Sequence, residues 1–303
     1  MVVMGIMALL SVMIAVAAGG AMESARVSHT RALIARLHTL LMDRYESYRW
    51  RRLPIQLPPA STLSGANQIQ QINQMKCNAV RELMRMEMPD RWTDVFDPPV
   101  TTYIDPVTGK QVTMPRTAAS ISYLAALSNA GTTASSDSTY QGADCLYLII
   151  TMGLEENDVL ENFSQSDIGP DPKNPKMLCF LDSWNNPIQF LRWAPGFNSP
   201  LQPANSTDRD QTDPNGVYGS PSSSPPTFAL YPLIYSAGPD GYYDILADTS
   251  PALHYSQPPS NSPANNPFQS AGGTIGTPTI LSSNTTGTLG NIDNIHNQEI
   301  GVH

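Results

Sequence analysis

Hydrophobic positions dominate the N-terminal end of the chain. The first 22 residues contain no charged side chain. A helix of that length rises about 33 Å at ~1.5 Å per residue, enough to cross a hydrocarbon core of about 30 Å. A secretory signal peptide would need a basic segment before a shorter apolar stretch, and none is present. The pattern predicts an uncleaved membrane anchor in residues 1–22.

A second hydrophobic pattern follows in residues 23–53. Apolar residues recur at gaps of three and four, which is typical of one face of an amphipathic helix, and they are Leu33, Ile34, Leu37, Leu40, Leu41, Tyr45 and Tyr48. Pro54 is expected to stop this helix. A lone anchor does not need an amphipathic half, whereas a helix that packs against copies of itself does.

Candidate assembly residues lie in both halves of this stem helix. In the apolar half, small residues allow helices to approach closely within lipid, and they are Gly5, Ala8 and Ser11. In the amphipathic half, the candidates are Leu33, Leu37 and Leu41. A monomeric anchor should tolerate Leu37→Glu, whereas a filament subunit should lose assembly.

The rest of the chain divides into a helical, loop-rich insertion at 54–176 and a strand-rich region at 177–303. In the insertion, the pattern predicts a loop at 91–109 and helices at 67–88, 117–129 and 144–153, with a buried strand at 145–150 as the alternative to the last. Farther on, it predicts strands at 177–181, 188–193 and 228–235. Polar tracts at 198–226 and 250–291 are expected to be flexible loops. The predicted fold class is α+β, with the long N-terminal helix packed on a small antiparallel sheet.

Charge is distributed unevenly along the chain. Residues 1–52 have a balance of +4 and the remainder a balance of −13, giving the net charge of −9. An acidic C-terminal part argues against nucleic acid as a partner, because phosphates require a basic surface. Cys145 and Cys179 could form a disulfide in an oxidising compartment, but their apolar surroundings favour buried thiols.

Enzymatic chemistry finds little support in the sequence. Nucleophile-elbow, phosphate-loop, dinucleotide-binding and zinc-protease motifs are all absent. Asp182, Asp240 and Asp244 could be brought together by a hairpin, and paired carboxylates can perform acid–base catalysis. An anchored hydrolase would then need a compact pocket around Asp182 and Asp240. Without a visible nucleophile, we predict that the protein is not an enzyme.

Three segments carry a family resemblance. Residues 181–190 read LDSWNNPIQF, residues 233–241 read LIYSAGPDG and residues 293–297 read DNIHN. In this order they resemble the C-terminal sheet and tail of the major pseudopilins of type II secretion, in the type IV pilin-like family. Ser183 and Asn185 stand where the family usually has Pro and Gly.

The N-terminal segment also resembles the interior of a pilin stem. The family begins with a basic leader, a Gly cleavage point and then Phe-Thr-Leu-x-Glu, and the present chain shows none of these. Either the true start lies upstream of Met1, which we favour, or this copy is not processed normally. The Arg-rich stretch after the apolar run would by itself place the C-terminal part in the cytoplasm. A basic leader would oppose that bias.

The resemblance implies a structural function. We expect a subunit of a pseudopilus or related filament in the bacterial inner membrane, with a single pass and a periplasmic C-terminal domain. Its implied partners are other pseudopilin subunits, the inner-membrane secretion machinery and, if a leader exists, a prepilin peptidase. The alternative is a membrane-anchored ectodomain that binds a surface partner and does not polymerise.

The resemblance also implies a metal site but no required cofactor. In the family the loop that corresponds to residues 238–241 often holds Ca²⁺, which accepts carboxylate and backbone oxygens. Asp240 and Asp244 would be the ligands. In the alternative, the loop is a plain turn in which Asp240 accepts backbone N–H groups.

Overall fold

The computed structural model describes most of the stem and the head that follows it. The described residues are 2–55, 68–97, 99, 101–104, 111–137, 139–154, 159–203, 210, 230–247, 269–270, 273–279 and 293–300. For residues 2–11, 15, 68–71, 74, 101–104, 111, 269–270 and 300 only the backbone is described.

Helices dominate the described part of the N-terminal half, and one short helix lies near the C-terminus. The stem is one helix, α1 (Val2–Ser47), and the others are α2 (Gln68–Glu87), α3 (Trp92–Phe96), α4 (Ala118–Ala130), α5 (Gln141–Leu148) and the terminal α6 (Asn297–Ile300). A π-helical turn, Ile149–Gly153, continues α5. The predicted helices are therefore present at 68–87 and 118–130, each within two residues of its expected bounds.

Short antiparallel strands also occur in the described residues. They are β1 (Thr101–Ile104), β2 (Gln111–Thr113), β3 (Ile168–Pro170), β4 (Leu178–Phe180), β5 (Gln189–Leu191), β6 (Leu233–Ser236), β7 (Gln269–Ser270), β8 (Gly273–Thr274) and β9 (Ile295–His296). The central sheet has the order β5-β6-β9, and the others are two-stranded pairs of β1 with β2, β3 with β4 and β7 with β8. The architecture is α+β, with a long N-terminal helix and small antiparallel sheets.

The main core lies between the second half of α1, the helices and the central sheet. Leu37 and Leu41 of the stem are completely buried there, together with Met84 of α2, Ile149 of the π-helical turn and Ile234 of β6. Burial of the stem face explains why its apolar residues recur at helical spacing. The end of α1 is fixed by polar contacts as well, since the Tyr48 hydroxyl donates to Glu87 Oε2 at 2.8 Å.

The segment at 144–153 is helical, which resolves the ambiguity between helix and strand. Its apolar residues face two different cores. Leu146 and Ile150 point into the main core, whereas Cys145 and Leu148 pack into a second cluster with Trp92. A helix buried on two sides has no polar face, so its sequence reads like a buried strand.

Two other predictions need correction. Residues 91–109 were expected to form a loop, but they contain α3 and β1. Trp92 and Val95 are almost fully buried and hold α3 against the second core. The expected boundary at residue 176 is crossed by the hairpin of β3 and β4.

The other expectations for the C-terminal half fall partly outside the described residues. The strand predicted at 228–235 is observed as β6, at 233–236. Most of 198–226 and 250–291 lies outside the described residues, although β7 and β8 pair within the second of these tracts. Cys145 and Cys179 are buried thiols rather than a disulfide.

Candidate functional site

The exposed half of the stem is the first candidate site. Backbone atoms of α1 continue to Val2, and several large apolar side chains before the head are largely exposed: Val12 62%, Met13 61%, Ile14 69%, Val16 71% and Met22 62%. A contiguous apolar surface of this kind marks contact with a membrane or another protein.

The membrane prediction for residues 1–22 stays a prediction. No helix in the part of the chain that the structure describes is both long enough and apolar enough to cross a membrane. For Gly5, Ala8 and Ser11 only the backbone is described. Their backbone belongs to α1.

An assembly surface must be exposed on the free subunit, but the three candidates of the amphipathic half, Leu33, Leu37 and Leu41, are buried. Their side chains are 2%, 0% and 0% exposed, because they pack into the core of the same chain. The periodicity identified a buried face correctly, but the head of the same chain covers it. Leu37→Glu would consequently disrupt the head itself and cannot distinguish a filament subunit from a monomeric anchor.

The loop around Trp184 is held together by one buried carboxylate. Asp182 Oδ1 accepts the backbone N–H groups of Trp184 (2.9 Å) and Asn186 (2.8 Å), and its Oδ2 accepts the Ser236 hydroxyl at 2.6 Å. Burial raises the pKa of Asp182, although these hydrogen bonds oppose the shift. Asn185 adopts a left-handed conformation with φ of 69°, which Gly and Asn tolerate better than other residues.

The same loop docks on the stem where the exposed half begins. The Ser183 N–H donates to Thr30 Oγ1 at 3.1 Å, and the Ser183 hydroxyl donates to the Arg26 carbonyl at 3.0 Å. A proline at position 183 would have no N–H to make the first bond. Beside this contact, Trp184 Nε1 donates to Glu23 Oε1 at 3.2 Å. The loop therefore fixes the direction in which the stem leaves the head.

The Asp240 loop is a tight turn. A 3₁₀ turn covers Gly238–Asp240, and Gly238 and Gly241 both have positive φ values, 70° and 77°. Asp240 Oδ1 accepts the Tyr242 N–H at 2.8 Å, which is the contact expected of a plain turn. Asp240 lines an open cleft of about 490 Å³ between this loop, the Trp184 loop and Arg26.

Asp244 and Asp293 lie near Asp240. Burial raises the pKa of Asp244, and the charges of Asp240 and Asp293 raise it further. However, no group of three or more His, Cys, Asp or Glu side chains among the described residues is arranged to hold a metal ion. That finding does not bear on a site made of two carboxylates and backbone oxygens, so calcium at Asp240 and Asp244 stays a prediction.

Asp182 and Asp240 also do not form the paired carboxylates considered for acid–base chemistry. Asp182 is 4% exposed and directs its oxygens into its own turn and towards Ser236. Asp240 is exposed and faces the cleft. The two side chains thus have separate structural roles.

The tail motif closes the central sheet against the stem. Ile295 and His296 pair with the Ser236 and Tyr235 backbone as strand β9. The next residue, Asn297, is 1% exposed and contacts the backbone of the strand beside it and the stem at once. This segment therefore ties the central sheet to the stem.

A buried cluster of charges was not anticipated from the sequence. The guanidinium Nη1 of Arg192 donates to Asp94 Oδ2 at 2.9 Å, and the backbone N–H of Arg192 donates to Asp90 Oδ2 at 3.0 Å. Beside them, Arg85 and Glu82 form an ion pair at 2.7 Å. Burial opposes ionisation of Asp94, but the neighbouring guanidinium groups outweigh it and lower the pKa of Asp94. The only sequence signal was the density of charged residues between 81 and 94.

Asp144 is another buried carboxyl group. It is completely buried on α5, beside the Trp92 indole. Burial and the nearby Asp171 charge raise the pKa of Asp144 to about 8. This group belongs to the packing of α5 against β4 rather than to the stem or the cleft.

No protein-family model matches the chain, and no curated protein or solved structure is significantly similar to it.

Proposed function

We propose that this protein is a structural subunit of a type II secretion pseudopilus or a related type IV pilin-like filament. In this proposal it resides in the bacterial inner membrane with its C-terminal domain in the periplasm, and it assembles through α1. The supporting observation is that the two halves of α1 lie in different environments. Residues 30–48 supply a face to the core of their own head, whereas residues 12–22 present large apolar side chains with no cover from the described part of the chain.

Other copies of the same helix are the partners that suit the exposed half. Transfer of a Val, Ile or Met side chain out of water contributes about 1.5–3 kcal/mol. Each side chain that is about two-thirds exposed therefore has roughly 1–2 kcal/mol still to gain on leaving water, whether lipid or another helix covers it. Bilayer lipid can cover such side chains before assembly, and helix packing can cover them afterwards. The inner-membrane secretion machinery and, given a leader, a prepilin peptidase would handle the subunit before it enters the filament.

The rigid junction supports the same function. A subunit in a filament must hold its stem at a constant angle to its head, since every copy repeats the same contacts. Ser183 and Trp184 fasten the stem to the head just below the exposed half. An anchor that only tethers a binding domain would not need this fixed direction.

Cysteine cross-linking in membranes tests the proposal. Val12→Cys and Met22→Cys place thiols at exposed stem positions that point in different directions, and Ile121→Cys is the matched control, 55% exposed on α4. The native cysteines are buried and should contribute little background. Under mild oxidation we expect covalent dimers from each single stem variant, a ladder of higher multiples from the double variant, and monomers from the control.

Two other results would change the assignment. If the stem variants sediment with membranes but remain monomeric, the chain is a membrane-anchored ectodomain rather than a filament subunit. If they do not associate with membranes at all, both interpretations fail.

A further inference from the structure

The amide of Asn297 is oriented by two backbone groups. Its Oδ1 accepts the Ile234 N–H at 2.9 Å, and its Nδ2 donates to the Pro232 carbonyl at 2.9 Å. The opposite orientation would place a donor against the N–H and an acceptor against the carbonyl. The position of the NH₂ group is therefore fixed by the strand and does not depend on the histidine beside it.

That NH₂ group also faces the stem. Asn297 Nδ2 lies 2.9 Å from Nδ1 of His38 on α1. Since an amide NH₂ can only donate, His38 Nδ1 must accept, and it can accept only when it carries no proton. The geometry thus requires a neutral His38 with its hydrogen on Nε2. If His38 were protonated, its Nδ1–H would point at an N–H of the Asn297 amide, and two donors would face each other.

We propose that the His38–Asn297 contact is an acid-sensitive clasp, which holds the terminal segment 293–300 on the stem only while His38 is neutral. The proposal goes beyond the filament function and does not depend on it. Its consequence is local: protonation should release β9 and α6 from the sheet edge and from α1, while the main core stays folded.

The surroundings of His38 favour the neutral form. Burial lowers the pKa of His38, and Glu46, two turns farther along α1, opposes that shift without reversing it. Four described elements pack against α1: β6, β9, α6 and the π-helical turn Ile149–Gly153. The first three contribute the titratable groups Tyr235, His296 and Glu299, and the π-helical turn contributes none. Burial lowers the pKa of His296 as well, although Glu299 partly offsets it.

The direction of the pH effect follows from the lowered pKa. An unfolded or released His38 titrates near pH 6.5. Below that pH the released form binds more protons than the clasped form, so proton binding favours release. The clasp should contribute fully above about pH 6.5 and be lost as the pH falls through the lower pKa of the folded state.

Nuclear magnetic resonance of the imidazole nitrogens tests the clasp in the unmodified full-length chain in detergent micelles. We expect His38 to show the Nε2–H tautomer at pH 7.5 and to titrate below pH 6.5. Hydrogen exchange of peptides covering 293–300, corrected for the intrinsic pH dependence, should show an opening equilibrium roughly tenfold larger at pH 5 than at pH 7.5, equivalent to about 1.4 kcal/mol.

Three variants separate the clasp from general acid sensitivity. His38→Gln can retain an acceptor towards Asn297 without titrating, so its terminal segment should stay closed at pH 5. Asn297→Asp offers a carboxylate to the imidazole and should raise the pKa of His38 above 6.5. Because it also places an oxygen against the Pro232 carbonyl, its readout is the His38 titration and not the opening of the terminal segment. His29→Gln removes a histidine whose side chain is 53% exposed and should behave as the unmodified chain.

A contrary result is equally well defined. An Nδ1–H tautomer at neutral pH, a His38 pKa at or above 6.5, or equal opening at pH 5 in the unmodified chain and His38→Gln would each overturn the clasp.

Discussion

Leu37→Ala should destabilise the head, because this stem residue belongs to the core of its own chain. Leu37 is 0% exposed and packs in the main core with Leu41, Met84 and Ile149. Truncation of a fully buried Leu removes its transfer free energy and leaves a cavity, which together cost about 2–5 kcal/mol. The expected loss is therefore about 3 kcal/mol in the free energy of unfolding.

Urea denaturation followed by tryptophan fluorescence measures this loss. Trp193 is 4% exposed in the same core, so its emission reports on the head. With a slope of about 2 kcal/mol per molar urea, the midpoint should fall by about 1.5 M. Val16→Ala is the matched control, since Val16 lies on the same helix but is 71% exposed, and it should change the free energy of unfolding by no more than about 0.5 kcal/mol.

Equal effects at the two positions would refute this reasoning. An unchanged midpoint for Leu37→Ala would mean that the second half of α1 is not part of the head. A large loss for Val16→Ala would mean that the first half of α1 packs against the head as well. In either case the division of the stem, on which the proposed function depends, would be wrong.

Three further predictions concern the interior of the head. Arg192→Met removes one of the two guanidinium groups, Arg91 and Arg192, that contact both Asp90 and Asp94, and should lower the free energy of unfolding by about 3 kcal/mol, measured by urea denaturation. Burial and a nearby carboxylate raise the pKa of Asp144 to about 8. The folded state therefore holds the Asp144 proton more tightly than the unfolded state, and the free energy of unfolding should fall as the pH rises towards 8. Asp144→Asn should show a smaller decrease in melting temperature between pH 6 and pH 8.5 than the unmodified chain. Gly142→Ala would bring a methyl group within 2.6 Å of a backbone carbonyl oxygen of the neighbouring strand and should lower the melting temperature, corresponding to about 1–3 kcal/mol.

Sequence periodicity predicted the stem helix and its buried face, but not which part of the molecule covers that face. The spacing of Leu33, Leu37 and Leu41 defines a helix face that must be buried. It carries no information about whether the same chain or another copy supplies the cover. The helix at 144–153 presented the related problem that burial on two sides removes the periodic signal altogether.

The residues that form the turns could be predicted from the sequence, whereas the buried ion pairs could not. Asn185 tolerates the left-handed conformation that its turn requires, and Gly238 and Gly241 supply positive φ values in the later turn. Arg192 and Asp94 gave no comparable signal, because charged residues usually lie on the surface. Only the tertiary structure brings β5 and α3 together and so pairs these charges.

Imaging of the assembled material tests the central claim, that the exposed half of α1 joins copies while the other half belongs to the head. Cells with a type II secretion assembly platform would produce the full chain, and shear-released material would be examined by electron microscopy. The account predicts filaments from the unmodified chain and from Ile121→Glu, a substitution at an exposed site on the head, and none from Val12→Glu with Val16→Glu. Filaments that persist in the stem variant, or membrane-bound monomers in every case, would contradict it.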